Sequence, residues 1–127
     1  MQLLLSSSAV ARHYRVRLWL FLAYLVLLVW GLLNSQGPPE PIAHSSVVLH
    51  MIGFFGLALS ARYALDRLSG RVLWPLLLLS APALEALQAL VQPVTRQFSA
   101  LDIAGNLLGI VLAHLLWPAL RARFSPG

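Results

Sequence analysis

Four apolar runs alternate with short polar segments along this chain. An arm at 1–17 carries Ser6, Ser7, Ser8, Arg12, Arg15 and Arg17, and the first run follows at 18–33. Gly37, Pro38, Pro39 and Pro41 break the pattern and mark a loop. The second run, 47–65, starts after Ser45 and Ser46, either of which suits a helix N-cap. A short connection with Asp66, Arg67 and Gly70 leads to the third run, 72–91. Within it Pro75 fits a first turn, while Pro82 frees the Leu78 carbonyl and predicts a kink just before Glu85. A polar loop at 92–100 precedes the fourth run, 101–120, and a tail at 121–127 carries Arg121 and Arg123.

Each run is close to the ~20 residues a helix needs to cross a bilayer core. No small-x-small cleavage pattern follows the first run, so it is expected to stay as an uncleaved span. Four such helices joined by short loops predict an all-α, four-transmembrane-helix bundle in up-down-up-down order.

Composition agrees. Hydrophobic residues make up 59% and charged residues 10%, far below the roughly one quarter of a soluble domain. Mean hydropathy is +0.78. The nine basic residues are all arginine. They are not gathered on one face among aromatics, so the net charge of +5 does not point to nucleic acid. Instead they report topology. Arg12, Arg15 and Arg17, then Arg62, Arg67 and Arg71, then Arg121 and Arg123 all fall on one side, and Arg96 stands alone on the other. The positive-inside rule therefore makes both termini of this multi-pass chain cytoplasmic; a bacterial inner membrane is its expected location. Trp19, Trp74 and Trp117 near the inner ends and Trp30 near the outer end fit that orientation. Without cysteine there is no disulfide, thiolate nucleophile or Cys-based metal site.

This topology brings polar residues from distant parts of the chain to one depth. His50 lies one turn below the outer end of the second helix. Glu85 and Gln88 sit in the last turns of the third, Arg96 in the outer loop, and Asp102 and Asn106 in the first turns of the fourth. Glu85, Gln88 and Gln92 share one helix face, as do Asp102, Asn106 and Gly109. Gly105, Gly109 and Ala113 form a small-residue ridge for close helix contact, and Gly53, Gly56 and Ser60 are placed to do the same. The expectation is a polar pocket facing the bundle interior and open to the outer face.

The spacing Glu85-x-x-Gln88, then Arg96, then Asp102-x-x-x-Asn106-x-x-Gly109, preceded by His50 with Phe54 one turn later, resembles the VanZ-like membrane proteins. The likeness runs from about His44 to Trp117 and places a VanZ-like transmembrane domain at 18–120. It implies a small multi-helix membrane protein with a role like that of the family's namesake, resistance to the glycopeptide teicoplanin. Many members carry an Asp-Lys pair shortly before the histidine, where this chain has Ser46 and Val47.

Each candidate also has an ordinary structural reading. Asp102 follows Ser99 by three, the spacing of a capping box. Asn106 suits an interhelical hydrogen bond, Arg96 a counter-ion for Glu85 or Asp102, His50 a hydrogen-bonded core histidine, and Gln92 a solvated helix end. Glu85 is hardest to dismiss, since it lies about 9 Å inside its helix end and an acid within a membrane is a functional candidate by default.

Three readings follow. In the first, His50, Glu85, Gln88, Arg96, Asp102 and Asn106 bind a membrane lipid or lipid-linked cell-wall precursor, with Arg96 on a phosphate or carboxylate. In the second, Glu85, His50 and Asp102 are catalytic candidates for acid/base work on a lipid-linked substrate, although no nucleophile motif or P-loop is present. In the third, the chain is a structural or transport subunit, but a proton path below Glu85 would have His114 alone to use. The scattered histidines show no metal-ligand spacing, so no metal site and no cofactor are expected. Homo-oligomerisation is left open.

Overall fold

The computed structural model describes residues 2–34, 45–92 and 99–124. Four helices fill them: α1 (Gln2–Asn34), α2 (Ser45–Ala64), α3 (Gly70–Val91) and α4 (Ala100–Phe124). Each contains a stretch long and apolar enough to cross a membrane. This is the expected all-α four-helix bundle, and the protein is a multi-pass membrane protein. The segment expected as an arm is helical from Gln2 and continuous with the first span. At 1.5 Å per residue α1 is about 50 Å long, which exceeds the ~30 Å hydrocarbon core.

Side-chain contacts give the helix directions. Midway along α1, Arg17 meets Asp66 just beyond the end of α2, with a 3.0 Å ion pair. Its guanidinium also donates to the Tyr63 carbonyl at 3.0 Å. At the far end of α1, Gln88 of α3 donates to the Leu32 carbonyl at 2.7 Å. Ser46 near the start of α2 reaches Asp102 near the start of α4. Thus α1 and α3 run one way, and α2 and α4 the other.

Local chemistry explains the helix ends. Ser69 caps α3, its hydroxyl accepting from Arg71 N at 3.2 Å. Ser99 caps α4 in the same manner, accepting from Asp102 N at 3.2 Å. Pro75 and Pro82 both lie inside α3, which continues as one helix from Gly70 to Val91.

The tightest seam joins α2 to α4, along the small-residue ridge. A Cβ on Gly105 would stand 2.8 Å from the Val47 carbonyl oxygen. One on Gly109 would overlap the Met51 carbonyl oxygen and lie 2.9 Å from Phe55 N. Two helix backbones touch here because there is no side chain between them. Gly53 and Gly56 face α1 instead, beneath Leu28 and Tyr24, and the Tyr24 hydroxyl donates to the Gly53 carbonyl at 2.7 Å.

The fully buried apolar core comes from the other three helices: Phe54, Leu57, Ala58 and Ala61 of α2, Leu73, Leu77 and Ala81 of α3, Ile110 and Ala113 of α4. Helix α1 packs against its flank through Phe21, Tyr24, Leu25, Leu28 and Leu32. Exposed apolar side chains such as Leu20, Leu27, Leu79, Leu90 and Leu115 cover the outside, as a lipid-facing surface requires.

Candidate functional site

The seam between α2 and α4 and the C-terminal half of α3 meet at the end of the bundle opposite Arg17. Five sequence-derived candidates are buried there: His50, Glu85, Gln88, Asp102 and Asn106, none more than 6% exposed. Arg96 lies outside the described residues.

His50 and Asn106 form the centre. Nδ1 of His50 is 2.9 Å from Oδ1 of Asn106. The Asn106 carboxamide donates from Nδ2 to the Ala81 carbonyl at 3.4 Å, so its oxygen is the atom left to face His50. An oxygen that can only accept requires a proton on Nδ1. Nε2 then points toward Asp102, with 3.9 Å between it and Oδ2, beyond hydrogen-bond range.

The two carboxylates are anchored differently from a capping box. In that motif Asp102 would reach back to the N–H of Ser99. Here Glu85 of α3 takes that N–H, with Oε1 at 2.9 Å. Asp102 is thereby released from capping, and its Oδ1 accepts from the Ser46 hydroxyl at 3.3 Å while Oδ2 faces His50. Both acids sit at the amino end of α4, where the helix dipole favours negative charge.

Gln88 and Gln92 serve the end of α1. Gln88 donates to the Leu32 carbonyl and Gln92 to the Leu33 carbonyl. These are among the last carbonyls of α1, which have no partner within their own helix. Gln92 is therefore half-buried and bonded rather than a solvated helix end. His114 of α4 packs edge-on against Trp74, with centroids 4.6 Å apart.

A cavity of about 240 Å³ adjoins the polar centre between α1 and α2. Leu27, Leu28, Gly31 and Leu32 wall it on one side, and Leu49 and Phe54 on the other, with Ser46 and His50 as its polar atoms' source. The sequence offers Ser45 or Ser46 as a helix cap and gives no sign of the cavity. Ser46 was detectable, since it lies four residues before His50 on the same helix face. The walls were not, because the 18–33 stretch of α1 is apolar on every side and no periodicity marks the face that turns inward.

The spacing along the chain suggested no metal ligand set. Folding nonetheless brings one atom each of His50, Glu85 and Asp102, from three helices, within 4.8 Å of one another. The same arrangement is an acid/base set in chemical terms, because an imidazole and two carboxylates share a buried space. No family model matches the chain, and neither the curated proteins nor the solved structures contain a match.

Proposed function

We propose that the protein binds an amphiphilic lipid at the membrane face where α2 and α4 begin. The observation that carries this reading is the cavity: apolar walls from two membrane-spanning helices end on Ser46 and His50. An acyl or isoprenoid segment suits the leucine walls, and the polar head would meet the buried His50, Asp102 and Asn106 group. The arginines at the opposite end support reading this as the outer face under the positive-inside rule, in what this proposal takes to be a bacterial plasma membrane. Arg96, on the same side in sequence, is the cation available to a phosphate or carboxylate. The likeness to VanZ-like proteins extends the proposal to a lipid-linked cell-wall precursor and to protection against teicoplanin.

Native mass spectrometry of the detergent-purified protein with co-purifying lipids tests the binding step. Gly31 lines the cavity and a Cβ there meets nothing within 4 Å, so Gly31→Trp, checked for wild-type folding, is the variant chosen to occupy it. Wild type retaining a defined lipid that Gly31→Trp loses would support the reading. Equal, unselective lipid on both would overturn it. Expression in a glycopeptide-susceptible host tests the extension, which falls if teicoplanin sensitivity is unchanged.

A second reading is favoured by the gathering of one imidazole and two carboxylates within 4.8 Å of one another: acid/base catalysis on the bound lipid. Covalent change in the retained lipid, absent from His50→Gln, would distinguish turnover from binding.

A further inference from the structure

We propose that His50, Glu85 and Asp102 form a site for one divalent cation of the Zn²⁺ or Mn²⁺ class. One imidazole and two carboxylates are the ligand types these ions accept. The three come from α2, α3 and α4, and their ligand atoms lie within 4.8 Å of one another, all buried. Ligands around a tetrahedral ion at ~2.1 Å stand about 3.4 Å apart, so sub-ångström side-chain shifts would close the set.

Orientation argues for a cation over a simple hydrogen-bonded pair. At 3.9 Å, His50 Nε2 and Asp102 Oδ2 are too far apart to share a proton and near enough to share an ion. Each of the three side chains is also held by a hydrogen bond, for His50 and Asp102 through the atom that does not face the other. His50 Nδ1 is on Asn106, Asp102 Oδ1 on Ser46, and Glu85 Oε1 on the Ser99 amide. Support of this kind fixes the tautomer of a metal-bound histidine and aims the carboxylates. The Asn106 contact in particular leaves Nε2 as the lone-pair nitrogen, directed at the acids. Two carboxylates held this close repel each other and favour positive charge between them.

Three protein ligands leave coordination positions open, and His50 borders the cavity between α1 and α2. An anionic headgroup in that cavity would complete the coordination; this last step rests on the lipid-binding reading, whereas the cation site does not.

The test uses the full chain in detergent with any affinity tag removed, stripped with chelator and re-equilibrated with Zn²⁺ or Mn²⁺. After desalting, wild type should retain about one ion per chain. His50→Ala and Asp102→Asn should fall to background, and Asn106→Ala should bind about 10–100-fold more weakly. Retention by wild type no greater than by His50→Ala would overturn the site. Should the ligand variants not fold, Mn²⁺ on wild type decides by pulsed electron paramagnetic resonance. Nitrogen coupling from a single imidazole is expected, and its absence sinks the proposal. Gly31→Trp separates the two readings. Cation retained with lipid lost supports both, whereas cation retained with lipid binding indifferent to Gly31 overturns the lipid reading alone.

Discussion

Asn106 Oδ1 and His50 Nδ1 lie 2.9 Å apart, joining α4 to α2 one turn from the glycine that lets those helices touch. The bond is buried, and the same carboxamide reaches α3 through the Ala81 carbonyl, so one side chain ties three helices together. Replacing it strands a buried donor on His50. Asn106→Ala should destabilise the metal-free protein by about 1–3 kcal/mol. Thermal unfolding in detergent, compared with wild type, checks this.

Gly109 sets the distance between α2 and α4. Any side chain there meets the Met51 carbonyl and Phe55 N, both backbone atoms that cannot swing aside. Gly109→Ala should cost about 1–3 kcal/mol, as overpacking does. Gly31→Ala, where a Cβ meets nothing within 4 Å, should leave the unfolding temperature almost unchanged. Equal effects at the two glycines would contradict the close seam.

Gln88 holds the end of α1 through the Leu32 carbonyl. Gln88→Leu removes that donor at a cost of about 0.5–1.5 kcal/mol. Much of the loss should be local, because α1 supplies none of the fully buried core. Hydrogen exchange in the last turn of α1 should quicken about fivefold, with the centre of α4 unaffected.

The opposite end of the bundle predicts a contrast between two partners of one ion pair. Asp66 is 47% exposed, so Asp66→Asn should change stability by less than about 1 kcal/mol. Arg17 is 17% exposed, donates to the Tyr63 carbonyl as well, and lies 5.1 Å from the centre of the Tyr63 ring. Arg17→Ala should therefore be the more damaging change, and comparing the two unfolding curves measures the difference.

The four spans, their order and the small-residue ridge were legible in the sequence because each depends on local composition. A helix in lipid must satisfy its own backbone, so roughly twenty apolar residues in a row declare it whatever its neighbours do. Gly105, Gly109 and Ala113 announce a close contact by their i, i+4, i+8 spacing along one face. The depth shared by His50, Glu85, Asp102 and Asn106 followed from helix direction alone.

Tertiary structure decided what those residues do to one another. Ser99 and Asp102 read as a capping pair until Glu85, from another helix, occupies the Ser99 amide and leaves Asp102 to accept from Ser46 and face His50. Gln88, counted among the ligand residues, turns its amide to the end of α1. Which leucines of α1 wall a cavity was settled in the same way, by the rotation of a helix whose 18–33 stretch is apolar all round. The physical reason is one of range. Hydrophobic length and small-residue spacing act within a helix, whereas the partner of a carboxylate or an amide is set by which atom of another helix reaches it first.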